Sequence, residues 1–169
     1  MISRKNARLT ALACLVMFLS TMGVLLARQF NLGPVRPTPG FRTFGPADAP
    51  VQMYEYSDFA CGACRKAPGK MDEMFKVYSG AIRLQFKHYP LVNIHPWSLD
   101  AAAYADCAGE QGKFKEYADL LFESQEKWGR VKEKPEEFEA FARGLKLDWT
   151  KMQTCSVAPE TRRRIKLDM

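Results

Sequence analysis

The feature that most constrains the fold is a strand–helix–strand pattern between residues 51 and 89. Residues 51–56 (VQMYEY) form a short β-prone run that ends at a Ser-Asp pair. Apolar side chains then recur at helical spacing, and residues 81–89 (AIRLQFKHY) alternate between apolar and polar with the period of a strand. Two strands joined through a helix within about 40 residues predict a βαβ unit with parallel strands and a right-handed crossover.

The helix of this unit is predicted to run from about residue 61 to residue 79. Its core-facing stripe has i, i+3, i+4, i+7 spacing and consists of Met71, Met74, Phe75 and Tyr78. Pro68 falls inside the predicted helix, so we expect a kink after the first one or two turns. Gly80 is placed to end the helix as a C-terminal cap.

The residues after Pro90 have the pattern of a helical block. An alanine-rich helix is predicted from His95-Pro96 to about Ala108. Four more helices are predicted from their apolar faces and from boundary residues at Gly112, Pro135, Asp148 and Pro159. The fold class is therefore α/β, with a helical block attached to the βαβ unit.

Residues 9–27 (LTALACLVMFLSTMGVLLA) carry no charge and follow basic residues. As a helix they would be about 28 Å long, close to the ~30 Å hydrocarbon core of a bilayer. We interpret residues 1–28 as a signal-anchor; the alternative is a signal peptide cleaved after Ala27, which the large Leu25 disfavours. Both interpretations export the remainder, either anchored in the inner membrane and facing the periplasm or released there, where disulfides persist.

The charge and composition around this segment indicate a tether rather than a nucleic-acid surface. From Gln29 to about Pro50 the chain carries five prolines and three glycines, and we assign residues 29–45 to an extended linker. Residues 28–169 carry 22 basic and 19 acidic groups, so much of the net charge belongs to the N-terminal segment. We expect no nucleic-acid partner, because such a partner requires a clustered basic face.

The candidate site is the stretch DFACGACRKAP, which holds Cys61 and Cys64. Cys61 lies where the predicted strand ends and the helix begins, and unpaired N–H groups and the helix dipole favour an anion there. The pKa of Cys61 should therefore fall below the ~8.5 of a free cysteine. Cys64 lies one turn further, within reach to close a disulfide, so the pair predicts thiol–disulfide exchange.

Two other interpretations of the pair are less favoured. A metal site would need Cys61 and Cys64 together with His88 and His95, and their spacing of seven exceeds that of the usual zinc motifs. A structural disulfide across four residues would restrict the unfolded chain very little. We expect no cofactor and no bound metal.

Three segments, taken in order, resemble the DsbA-like thiol–disulfide oxidoreductases of the thioredoxin superfamily. They are APVQMYEYSDFACGACRKAPGKMDEMF, IRLQFKHYPLVNIHP and AAAYADCAGEQGKFKEYADLLFESQ, and the resemblance covers about residues 45–165. It implies a thioredoxin-like βαβ unit with a helical insertion at about residues 96–156. It also implies that Cys61 is the nucleophile, that Cys64 resolves mixed disulfides, and that Glu55 is the family's buried acid. Without the resemblance, Glu55 would be interpreted as an ordinary glutamate on a strand face.

The sequence departs from the family pattern in two places. The family often has Pro-His or Pro-Tyr between the cysteines, whereas this chain has Gly62-Ala63, which offers no cation or donor side chain to the thiolate. We therefore expect a less oxidising couple than in the strongest oxidases. Residues 46–169 form the thioredoxin-like domain but lack the family's C-terminal ββα half and its cis-proline loop. We expect a truncated product whose stability is marginal and whose substrate platform is incomplete.

Cys107 and Cys155 form the other pair in the exported region. A buried cysteine is usually an inert small hydrophobe, but two in an exported helical block suggest a second, structural disulfide. Its loop of about fifty residues would restrict the unfolded chain substantially.

Three functions are compatible with these patterns. The leading hypothesis is an exported oxidoreductase that exchanges disulfides with protein substrates and is reset by a membrane or soluble redox partner. The alternatives are a thioredoxin-like binding module that turns nothing over and, less favoured, a metal-handling protein.

Overall fold

The structure is a computed structural model that describes residues 4–29 and 36–169. The chain divides into two units, Met1–Arg36 and Pro37–Met169. The first unit contains helix α1 (Arg4–Gln29), which includes the segment 9–27. Among the described residues, no helix has both the length and the apolar character needed to cross a membrane. The predicted membrane anchor is therefore not supported.

A three-stranded sheet lies at the centre of the second unit. Its strands are β1 (Thr43–Phe44), β2 (Val51–Ser57) and β3 (Ile82–His88), in the order β1-β3-β2. β2 pairs with β3 in parallel over their whole length, which confirms the predicted βαβ unit. β1 pairs with β3 in the antiparallel sense and was not predicted.

The segment assigned to the linker belongs in part to the folded unit. A 3-10 turn at Gly40–Arg42 and strand β1 both lie within residues 29–45. Phe41 packs on Phe114 with ring centroids 6.1 Å apart, and Arg42 is fully buried. The folded unit therefore begins near Pro37, while residues 30–35 of the predicted linker lie outside the described residues.

The helix after β2 starts later than expected. A 3-10 turn covers Cys64–Lys66, and α2 proper runs from Ala67 to Val77. Pro68 sits at the start of α2 rather than inside it, where its missing N–H is unpaired in any case, so the predicted kink is wrong. No residue of α2 is fully buried, and Gly80, with φ of 77°, turns the chain towards β3.

Six helices form the block after β3 and confirm the helical character of the insertion. They are α3 (Ser98–Glu110), α4 (Phe114–Glu123), α5 (Gln125–Trp128), α6 (Glu137–Gly144), α7 (Trp149–Val157) and α8 (Pro159–Lys166). The short α5 was not predicted. Asp148 caps α7 as expected, because its side chain accepts a hydrogen bond from Lys151 N.

One core joins the sheet to the helical block. Phe59, after β2, stacks on Phe86 of β3 at 5.5 Å and contacts Phe122 of α4 at 4.9 Å between ring centroids. Trp128 and Tyr117 are fully buried in the same cluster. A disulfide joins Cys107 of α3 to Cys155 of α7, with their Cα atoms 5.8 Å apart.

A buried ionic cluster holds the residues after α8 against the sheet. Arg42 is 3.2 Å from Asp106 of α3 and also bonds Asp168. Asp168 accepts a second bond from Lys87 Nζ at 3.1 Å, and His88 Nε2 lies 2.9 Å from Asp106. Because each buried charge here has an oppositely charged neighbour, removing one member would leave another uncompensated.

Candidate active site

Cys61 lies in the turn that connects β2 to the helical segment. Its backbone N–H donates to the carbonyl of Asp58 at 3.1 Å, and its own carbonyl accepts from Arg65 N at 3.2 Å. The Asp58 side chain also accepts from Ala60 N at 2.8 Å. These local bonds fix the turn, which holds Cys61 partly exposed just before the helix start.

The two cysteines of the motif have opposite electrostatic environments. Both are free thiols. The pKa of Cys61 is lowered, chiefly because the backbone N–H of Cys64 donates to its sulfur, with smaller help from the Cys64 thiol and Ala63 N–H. The pKa of Cys64 is raised, chiefly because burial disfavours its thiolate. Cys61 is therefore the more easily ionised thiol, and Cys64 the one that prefers to keep its proton.

Glu55 lies on β2 and lines a largely apolar cavity of about 300 Å³. Burial raises the pKa of its carboxyl, and its Oε1 atom has no hydrogen-bond partner among the described residues. The cavity is also lined by Phe75, Phe86 and Phe122. Glu55 is not among the main groups that shift the pKa of Cys61 or Cys64. Glu55 is thus a half-buried acid whose pKa is raised, and it has no direct bond to either sulfur.

Gln125 is a site residue that sequence reasoning missed. It begins α5, its side chain is almost fully buried, and Nε2 donates to the carbonyls of Phe59 at 2.7 Å and Cys61 at 3.0 Å. The helical block therefore holds the active-site turn directly. The sequence carries no signal for this contact, because a glutamine 64 residues away from Cys61 could equally have been a surface residue.

Asp58 and His95 form a second contact that was not foreseen. Asp58 Oδ2 accepts from Leu91 N at 3.0 Å and lies 2.6 Å from His95 Nδ1. Asp58 is nearly fully buried, so it ties the cysteine turn to the loop after β3. The sequence suggests His95 as a possible metal ligand and as part of a helix start, but not as a partner of this carboxylate.

In the described part of the chain, the histidines and the cysteines of the motif do not come together as a metal site. His88 is buried against Asp106, and burial lowers the pKa of its imidazole. Within residues 4–29 and 36–169, no three His, Cys, Asp or Glu side chains converge in a way that could hold a metal ion.

Solved structures share this architecture. A thioredoxin-like oxidoreductase from Silicibacter pomeroyi is 25% identical, with a TM-score of 0.62 over 81% of this chain and 72% of that one. The alpha-DsbA1 protein of Wolbachia pipientis is 22% identical, with a TM-score of 0.65 over 78% of this chain and 67% of that one. Oxidised BdbD from Bacillus subtilis is 18% identical, with a TM-score of 0.64 over 79% of this chain and 76% of that one. The last two likenesses show the fold alone.

Among curated proteins, the chain is similar to one part of much longer sequences. The Na(+)/H(+) antiporter NhaA 3 of Salinispora tropica is 36% identical over 104 residues, which are 62% of this chain and 15% of that protein. The Na(+)/H(+) antiporter NhaA 1 of Mycolicibacterium vanbaalenii is 38% identical over 95 residues, 56% of this chain and 15% of that protein. The chain therefore spans a small fraction of the curated relatives it matches.

A family model described as thioredoxin matches residues 38–165, which is most of the chain and includes both cysteines of the motif. The fold of this segment matches solved structures with TM-scores of 0.62 and 0.65. The chain therefore belongs to the thioredoxin family, and its fold is that of the DsbA-like structures.

Proposed function

We propose that this chain exchanges disulfides with protein thiols through Cys61 and Cys64. The observation that carries the proposal is the placement of two free thiols three residues apart in the turn after β2, with their pKa values shifted in opposite directions. A thiol that ionises easily is a good attacking and leaving group, whereas a buried partner with a raised pKa readily takes up a proton once it has left as a thiolate. Gln125 and Asp58 support the proposal, because they fix the turn in which both sulfurs lie.

The exchange follows from ordinary thiol–disulfide chemistry. A substrate thiolate attacks the sulfur of Cys61 in the oxidised pair; the bond between Cys61 and Cys64 breaks, and Cys64 leaves as a thiolate that takes up a proton. A second substrate thiolate then attacks the substrate sulfur of the mixed disulfide. Cys61 leaves as the thiolate that the Cys64 N–H stabilises. The substrate loses two electrons and the pair gains them, and in the opposite direction each step is reversed.

The direction of exchange depends on the reduction potential of the pair. The groups that lower the pKa of Cys61 are the backbone N–H groups of Cys64 and Ala63 and the Cys64 thiol. Gly62 and Ala63 contribute no side-chain donor, so the couple should be less oxidising than the ~−120 mV of the strongest oxidases. Equilibration with glutathione measures the potential, and a value near −120 mV would refute this expectation.

We place this activity outside the cytoplasm. The Cys107–Cys155 disulfide supports that placement, because such bonds persist in oxidising compartments. Export would begin at the uncharged residues 9–27, and a separate membrane or soluble redox partner would reset the pair. Fractionation of cells that express the full chain tests the placement, and recovery of the protein only in the cytoplasm would contradict it.

The decisive experiment compares wild type with Cys61→Ser in insulin reduction and in oxidation of a dithiol peptide. Wild type should be active and Cys61→Ser inactive, since the variant lacks the attacking sulfur. Cys14→Ser is the matched control, because Cys14 is an exposed free cysteine of α1. Equal activity in wild type and Cys61→Ser would remove the enzymatic proposal and leave a binding module.

A further inference from the structure

A broad cleft lies beside the reactive turn and takes no part in the exchange chemistry described above. Its volume is about 810 Å³, and its wall includes Ala60 and Gly62, the two neighbours of Cys61. We call it the cationic cleft, lined by Ala60, Gly62, Arg65, Lys66, His95, Gln125, Glu126, Gly129 and Arg130. Residues next to a substrate cysteine bonded to Cys61 can therefore reach this wall.

The cleft has an excess of positive charge. Three basic side chains line it, and Arg65 is the one that forms an ion pair, at 2.7 Å with Glu126. Within the described part of the chain, no carboxylate lies in ion-pair distance of Lys66 or Arg130, and both are exposed. The cleft therefore offers two uncompensated cations beside the nucleophile.

Nearby carboxylates do not neutralise these cations. Asp58 is nearly fully buried and accepts from Ala60 N, Leu91 N and His95, so its charge is directed into the turn. Glu126 is largely exposed, and an exposed ion pair is weak, so a substrate carboxylate can compete for Arg65.

We propose that the cationic cleft binds acidic side chains that flank the reacting cysteine of a protein substrate. The inference rests on the proposed exchange function and adds a preference among substrates. Residues one or two positions from the substrate cysteine lie about 3–7 Å from it along an extended chain, which is the scale of the cleft. Complementary charge in a concave site accelerates encounter and selects against like-charged partners.

The test uses three unstructured peptides that differ only beside a single cysteine: a pair of glutamates, of glutamines or of lysines. The rate of mixed-disulfide formation with the oxidised pair should be about fivefold higher for the glutamate peptide than for the glutamine peptide in low salt, and lowest for the lysine peptide. The difference should shrink as the salt concentration rises.

The charge-reversal variant Lys66→Glu/Arg130→Glu should lose or reverse this preference. The ratio of rates for two peptides is the readout, because an effect of the substitutions on Cys61 itself acts on all peptides and cancels. The control Lys70→Glu/Lys76→Glu changes exposed lysines of α2 that do not line the cleft, and should keep the wild-type ratio. Equal rates for the glutamate and lysine peptides, or an unchanged ratio in the cleft variant, would overturn the proposal.

A binding measurement separates this inference from the exchange function. S-methylated versions of the peptides cannot exchange, so their affinity for Cys61→Ser, measured by calorimetry, reports on the cleft alone. Preference for the glutamate peptide without exchange in wild type would support the cleft and refute the enzymatic function. Exchange in wild type without any charge preference would support the enzymatic function and refute the proposed binding in the cleft. If wild type instead reacts faster with a small anionic disulfide than with all three peptides, the substrate of the cleft is a small molecule. That result would overturn the proposal.

Discussion

The disulfide between Cys107 and Cys155 has an effect on stability that can be worked out from its place in the fold. It joins α3 to α7 across a sequence separation of 48 residues. A cross-link of that span removes conformational entropy from the unfolded chain worth about 4 kcal/mol at 25 °C. Typical domains are stable by roughly 5–15 kcal/mol, so we expect the bond to supply a large share of the free energy of unfolding.

The perturbation is the double variant Cys107→Ala/Cys155→Ala. Changing both residues avoids a lone thiol that could exchange with Cys61 or Cys64. With a urea m value of about 1.5 kcal/mol per molar, a loss of about 4 kcal/mol lowers the unfolding midpoint by about 2.7 M. Far-ultraviolet circular dichroism follows the transition, and Cys14→Ala, which removes an exposed free cysteine, should leave the midpoint unchanged.

Reduction of the wild-type protein provides an independent check. Wild type in excess dithiothreitol should unfold near the midpoint of the double variant, because both lack the cross-link. A midpoint shift below about 0.5 M in the double variant would refute the reasoning from chain entropy. Equal midpoints for wild type with and without reductant would contradict the presence of the disulfide itself.

Three further predictions concern the candidate active site. Because burial raises the pKa of Glu55, its carboxyl favours the fold at pH values below its unfolded pKa, and that contribution is lost as pH rises through the folded pKa. Glu55→Gln should therefore raise the urea midpoint at pH 7 relative to wild type but not at pH 3; no gain at pH 7 would contradict the burial argument. In a variant whose other free cysteines are alanine, the alkylation rate of Cys61 should reach half its maximum below pH 8.5, because backbone N–H groups lower its pKa; a midpoint at or above that value would count against the assignment. Gln125→Leu leaves the carbonyls of Phe59 and Cys61 without their side-chain donor and should cost about 1–3 kcal/mol in urea unfolding. The surface variant Gln153→Leu should cost far less, and equal effects would mean that the buried amide has no special role.

Prediction of the fold succeeded where the signal is local. The alternation in residues 82–88 and the helical spacing after the cysteines depend on side-chain period, which the sequence displays directly. Strand β1 was missed because two residues, Thr43 and Phe44, follow a proline-rich segment and pair only through a partner 40 residues later. The helix start was placed too early because period cannot distinguish a 3-10 turn from an α-helix.

The candidate site also has features that depend on neighbouring residues and features that depend on distant contacts. The family, the βαβ unit and the position of Cys61 and Cys64 at a strand–helix junction follow from local sequence patterns, because these features depend on residues close together in the chain. The distant residues that complete the site follow only from the tertiary structure: Gln125 bonds the turn carbonyls, His95 contacts Asp58, and Arg130 lines the same cleft as Lys66. These contacts cross more than thirty residues and depend on how the helical block packs on the sheet, which no pattern of neighbouring side chains records.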